Sequence, residues 1–155
     1  MQKNILAFCL IGILGLWIPL EMTAYDSDEL FGDWEIILTK DHKTGKKHYL
    51  KSSLYAQFFD GGTLAITDMT TRTRANWDWT LRGNKLTLNS RIDNHWLVGK
   101  IRFLKKRKKR PGEKSAEPEY MRRFVFRFTS WAKRKVKGHW RTVKLGSYSW
   151  VFEYS

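Results

Sequence analysis

The chain has 155 residues, enough for one domain with a core of its own. Its 29 Lys and Arg stand against 15 Asp and Glu, a net charge of +14 that attracts polyanions and says nothing about the fold. Aromatic residues make up 15%, with eight Trp, which excludes a disordered chain, and a single cysteine excludes a disulfide framework.

Taken in chain order, the first segment reads as an export leader. Lys3 supplies a positive start, residues 5–20 form an almost unbroken apolar run, and Ala24 offers a small residue at a cleavage point. The expectation is a signal peptide over 1–24 and a mature domain over 25–155, periplasmic or secreted. A run of this length also reads as an uncleaved signal anchor. Cys9 lies inside the run, so the mature domain has no thiol: no disulfide, no cysteine nucleophile and no cysteine metal site.

Beyond a short acidic lead-in (Asp26, Asp28, Glu29), Trp34, Ile36 and Leu38 alternate with Glu35, Ile37 and Thr39, the period of a strand. Residues 41–47, with Gly45, predict a turn, and 49–59 resume strand character. Asp60-Gly61-Gly62 then closes a hairpin whose return strand carries Leu64 and Ile66 on one face. A second hairpin is marked more plainly still. Trp77, Trp79 and Leu81 share a face, Arg82-Gly83-Asn84-Lys85 turns the chain, and Leu86 and Leu88 return on the same face. Residues 96–104 predict another strand, and the basic, Pro- and Gly-bearing stretch 105–118 a long exposed loop. Phe124, Phe126 and Phe128 alternate with Arg123, Val125 and Arg127. Residues 131–138 read as a basic connection, a helical turn or a wide loop, followed by strands over 140–145 and 148–154. No span carries a helical apolar stripe. The fold class is therefore all-β: an antiparallel up-and-down barrel of about eight or nine short strands.

Three segments together resemble exported bacterial lipocalin-like domains of the calycin type. They are Gly32-x-Trp34, the hairpin through Phe59-Asp60-Gly61-Gly62-Thr63-Leu64, and the hairpin Trp77-x-Trp79-x-Leu81-x-Gly83-Asn84-Lys85-Leu86-Thr87-Leu88. The resemblance covers residues 31–89. It implies a small barrel holding apolar ligands, with Gly32 and Trp34 closing one end. The basic stretch 105–118 departs from that pattern.

The candidate sites divide three ways. Trp77, Trp79, Phe124, Phe126, Phe128 and Trp150 are the expected ligand-binding aromatics, although a core without disulfides needs the same residues simply to fill it. Lys105, Lys106, Arg107, Lys108, Lys109 and Arg110 are the expected contact for a polyanion, against the plainer reading of a solvated loop; Lys133, Arg134, Lys135 and Lys137 form a second cluster. Catalysis has no constellation behind it. His42, His48, His95 and His139 are scattered, Asp33 and Glu35 are neighbours only on one strand face, and no nucleophile or phosphate-loop motif is present. The sequence thus reads as a binding protein without cofactor or metal. Its expected partner is a small apolar or amphipathic ligand in a barrel mouth. The alternative is an anionic polymer or membrane surface at the basic loops.

Overall fold

The computed structural model describes residues 24–104 and 122–155. The segment read as a signal peptide, apart from Ala24, and the basic residues Lys105 to Arg110 lie outside them. Nine strands follow one short 3-10 turn, Ser27–Leu30: β1 Gly32–Asp41, β2 Lys47–Tyr49, β3 Leu54–Phe58, β4 Thr63–Asp68, β5 Thr73–Arg82, β6 Lys85–Ser90, β7 His95–Phe103, β8 Arg123–Val136 and β9 His139–Tyr154. All pairings are antiparallel, in the order β2-β1-β3-β4-β5-β6-β7-β8-β9, and β1 also pairs with β9. The sheet is closed. β1 pairs through Gly32–Glu35 with β3 and through Leu38–Lys40 with β2, so eight wall positions are filled and β2 is the extra strand.

Gly32 shows why the first strand starts where it does. Its φ of +115° is open to glycine and strained for other residues, and a Cβ there would lie 3.1 Å from the Tyr154 ring. Two residues on, Trp34 is fully buried, and its Nε1–H donates 2.8 Å to the Leu30 carbonyl, locking the 3-10 turn across the barrel end. Tyr25 continues the cover: its N–H donates to Gly83 O, and its hydroxyl accepts from Phe103 N. Below this lid the rings interlock. Phe124 stacks on Phe152 at 4.4 Å and 8°, and Trp34 meets Phe124 and Tyr154 edge-on. This is the covered end.

Two bulges break the simple alternation. Between Ile36 and Leu38 the register with β9 slips by one residue, and the Ile37 carbonyl accepts instead from Leu50 N. Leu38 consequently pairs with outward Val151 rather than sharing Trp34's face, as uninterrupted alternation would have it. The second slip, at Leu145 opposite Ser130 and Trp131, lies inside one continuous strand, so β9 is not two strands.

The basic stretch 131–138 is neither a helical turn nor a wide loop. β8 runs on to Val136 and reverses through Lys137 and Gly138, both at positive φ, the conformation that matches strand twist in a two-residue hairpin. Beyond the Ala132–His95 pair β8 loses β7, and beyond Tyr148–Asp41 β9 loses β1. The four pairs from Lys133–Thr142 to Val136–His139 therefore form a free two-stranded ribbon, reaching about 13 Å past the wall.

Candidate functional site

Up-and-down connectivity sorts the turns by end. Residues 59–62 and 83–84, with the end of β7 and the start of β8, sit at the covered end. Residues 42–46, 69–72, 91–94 and the 137–138 ribbon tip sit at the other, the open end. The predicted aromatics separate along this axis. Phe124 and Phe126 have no accessible surface at all, so neither solvent nor a water-sized void touches them. Trp79 is buried against Phe31 and Phe58, and its Nε1–H is shared between the carbonyls of Thr63 (3.0 Å) and Phe59 (3.3 Å), pinning the hairpin turn. These three residues fill the barrel. Phe128 forms the floor above them, 4.6 Å from Phe126 on one side and 4.8 Å from Trp150 on the other.

Above that floor the inner wall is only half-buried. Trp150 and Tyr148 come from β9, Trp77 from β5, Leu54 and Ile66 from β3 and β4, and His95 from β7. His95 meets the Trp77 ring edge-on at 5.5 Å, and its Nε2 shares a 2.7 Å hydrogen bond with Ser130 Oγ. Ser130 is the one buried polar residue among those described. The Trp77 Nε1–H is buried too, and has no hydrogen-bond partner among the described residues. An unpaired buried donor is a standing deficit of about 1–3 kcal/mol, which a ligand oxygen or a water would relieve. The mouth thus gathers half-buried apolar side chains, with the Trp77 indole, the His95 imidazole and the Ser130 hydroxyl in successive contact among them.

Of the predicted ligand aromatics, Trp77 and Trp150 belong to the half-buried wall of the mouth, Phe128 lies beneath it, and Trp79, Phe124 and Phe126 lie in the filled half. Sequence reasoning passed over His95 and Ser130. Period two marks both: His95 precedes Leu97, Gly99 and Ile101, and Ser130 follows Phe124, Phe126 and Phe128.

The remaining titratable residues do not converge. Glu35 Oε1 accepts a 2.6 Å hydrogen bond from Ser52 N on the outer wall, so the Asp33–Glu35 neighbourhood is a loop anchor. Among the described residues no three His, Cys, Asp or Glu side chains gather as metal ligands. A surface cleft of about 390 Å³ beside the 3-10 turn holds Asp60 and Arg82, but its walls, Phe31 and Trp79, are committed to each other. Arg123 and Glu153 pair across β8 and β9 at the covered end.

His42, on the outer rim, shares a 2.6 Å hydrogen bond with Ser149 Oγ. Desolvation chiefly, then Arg127 and Lys40, lower its pKa below 6.5, against an opposing pull from Asp41. The folded state therefore favours the neutral ring. That contribution is present above pH 6.5 and is lost as pH falls from 6.5 through the lowered folded-state pKa. Thermal unfolding of wild type and His42→Gln at pH 7.5 and pH 5 tests this: the wild type should lose more melting temperature between the two.

The fold and its two unlike ends define a closed eight-stranded antiparallel barrel with a filled base and an open, aromatic mouth. This architecture is compatible with a lipocalin-like fold. Comparison with protein-family models, curated proteins and solved structures finds no match.

Proposed function

We propose that the chain is an exported lipocalin-like binding protein that holds a small amphipathic ligand in the open mouth. The observation that carries this is the buried Trp77 Nε1–H, without a hydrogen-bond partner among the described residues, on the ring that meets the His95–Ser130 pair in a half-buried aromatic wall. Apolar pockets with a few placed polar groups orient amphipathic ligands: the walls take the chain, and the donors take an oxygen-bearing head. The filled base limits the ligand to the upper part of the barrel, so a short or shallowly seated apolar tail fits best. No chemical step is part of this reading. The alternative contact, a polyanion at Lys105 to Arg110, rests on residues outside those described, and the mouth is favoured over it.

Titration with dansyl-undecanoic acid, competed by dodecanoate, tests the proposal. Saturable one-to-one binding with energy transfer from tryptophan is expected. Trp77→Phe keeps the ring face and deletes the donor, so it should weaken binding about fivefold, the worth of roughly one neutral hydrogen bond. Non-saturable binding, or affinity indifferent to Trp77→Phe, would overturn the reading.

A further inference from the structure

Among the described residues six large hydrophobic side chains are exposed, and five of them belong to one end of the molecule: Tyr49, Met69, Ile92, Val136 and Trp140. They come from four separate parts of the open end: β2, the 69–72 turn, the 91–94 turn and the β8–β9 ribbon. Tyr49 and Ile92 are each 79% exposed, and Trp140 is 62% exposed. Singly, such residues mean nothing on a protein surface; gathered around one rim from distant parts of the chain, they describe a surface.

The same rim is basic. Lys43, Lys46, Lys51, Arg72, Lys135 and Lys137 are all exposed there. Three carboxylates stand among them: Asp41 accepts from Lys43 N, Asp68 accepts from Thr70 N, and Asp93 is exposed beside Ile92, so cations outnumber anions on the rim. Lysines along a free ribbon edge also guard against strand addition, and that role accounts for them without any partner. It does not account for Trp140. The Leu145 bulge flips the strand's parity, so Trp140 leaves the face that Trp150 shares with the interior and stands in solvent beside Lys135, whose Nζ is 5.9 Å from the ring.

We infer that the open end is a docking surface for an anionic lipid bilayer. Exposed Trp and Tyr sit well at the headgroup level, aliphatic tips such as Ile92 and Val136 reach the acyl boundary, and surrounding lysines meet anionic headgroups. A nucleic acid would satisfy the lysines alone. Ile92, Met69 and Val136 gain nothing from a phosphate backbone, and that decides between the two partners. The inference stands on the rim residues and does not require a ligand in the mouth. It would nonetheless set the mouth facing the membrane.

The test is co-sedimentation of the mature chain with phosphatidylcholine vesicles, with and without a third of phosphatidylglycerol. Binding at least about tenfold tighter to the anionic vesicles, weakening as salt rises, is expected. Ile92→Ser with Trp140→Ser should lower that affinity about tenfold, while Lys135→Ala with Lys137→Ala should reduce the preference for anionic over neutral vesicles. All four sites are exposed, and circular dichroism with a melting curve checks that each variant folds. Equal binding to both vesicle types, or anionic binding unmoved by the Ile92 and Trp140 changes, would refute the inference. So would a DNA duplex bound as tightly as the anionic vesicles, with Ile92 and Trp140 irrelevant to it.

Discussion

Trp34→Ala is expected to destabilise the folded protein by about 3–5 kcal/mol, the range for deleting a fully buried large aromatic side chain. Trp34 has no accessible surface, packs edge-on against Phe124 and Tyr154, and holds the Leu30 carbonyl through its indole N–H. Alanine would leave a void under the lid and release the 3-10 turn together. In a domain of this size the loss corresponds to a fall in melting temperature of roughly 10–20 °C. Trp34→Phe separates the two parts, keeping most of the ring volume and losing only the hydrogen bond, about 1 kcal/mol. Urea unfolding of both variants reads the difference. A Trp34→Ala cost below about 1 kcal/mol would mean that the covered end is not organised around this residue.

Gly99→Ala should be comparably severe, for the opposite reason. Gly99 sits in the middle of β7, opposite Leu86 on one side and Phe128 on the other. A Cβ at this position would overlap the Arg127 carbonyl oxygen and approach the Phe128 Cα to 2.5 Å, so backbone rather than a movable side chain must yield. Glycine in a strand interior marks such a close approach. Forcing β7 and β8 apart costs about 3 kcal/mol, the upper end for overpacking. It also strains the floor at Phe128, so any ligand affinity of the mouth should fall with it. Gly138→Ala is the control: nothing lies within 4 Å of its Cβ, and only its positive φ is strained, at about 1 kcal/mol. Chemical denaturation of the pair should separate them clearly, and equal, small effects would remove the steric argument.

Much of the wall was legible because two signals coincided. The 58–66 and 77–88 hairpins combine glycine turns with clean alternation, and both formed where expected, with Leu64 opposite Trp77 and Trp79 opposite Leu88. Phe124, Phe126 and Phe128 read correctly as one inward face. What was illegible had no such contrast. The β8–β9 ribbon is solvated on both faces, so its residues show no apolar period, and charge alone suggested a loop. The bulges at Ile37 and Leu145 reverse parity without a sequence mark, which hid both the outward turn of Leu38 and the exposure of Trp140. Where the 133–137 cluster lies along the barrel also depended on topology. β8 starts at the covered end and carries the cluster to the opposite end, about 45 Å along the strand for its 14 residues. Within the candidate site, alternation placed Trp77 and Trp150 on apolar faces, and both lie half-buried on the inner wall. The polar side was missed because His95 and Ser130 look unremarkable until their strands are extended by period two.

In the proposed function the mouth, and not the filled base, receives the ligand. The most direct measurement follows the tryptophan indole N–H signals by two-dimensional NMR as dodecanoate is added below its micelle concentration, with signals assigned by single Trp→Phe variants. A saturable downfield shift of the Trp77 Nε1–H is expected as it gains an acceptor, with the Trp34 and Trp79 signals, already bonded to backbone carbonyls, left in place. A stationary Trp77 signal, or Trp34 and Trp79 moving as far as Trp77, would contradict it.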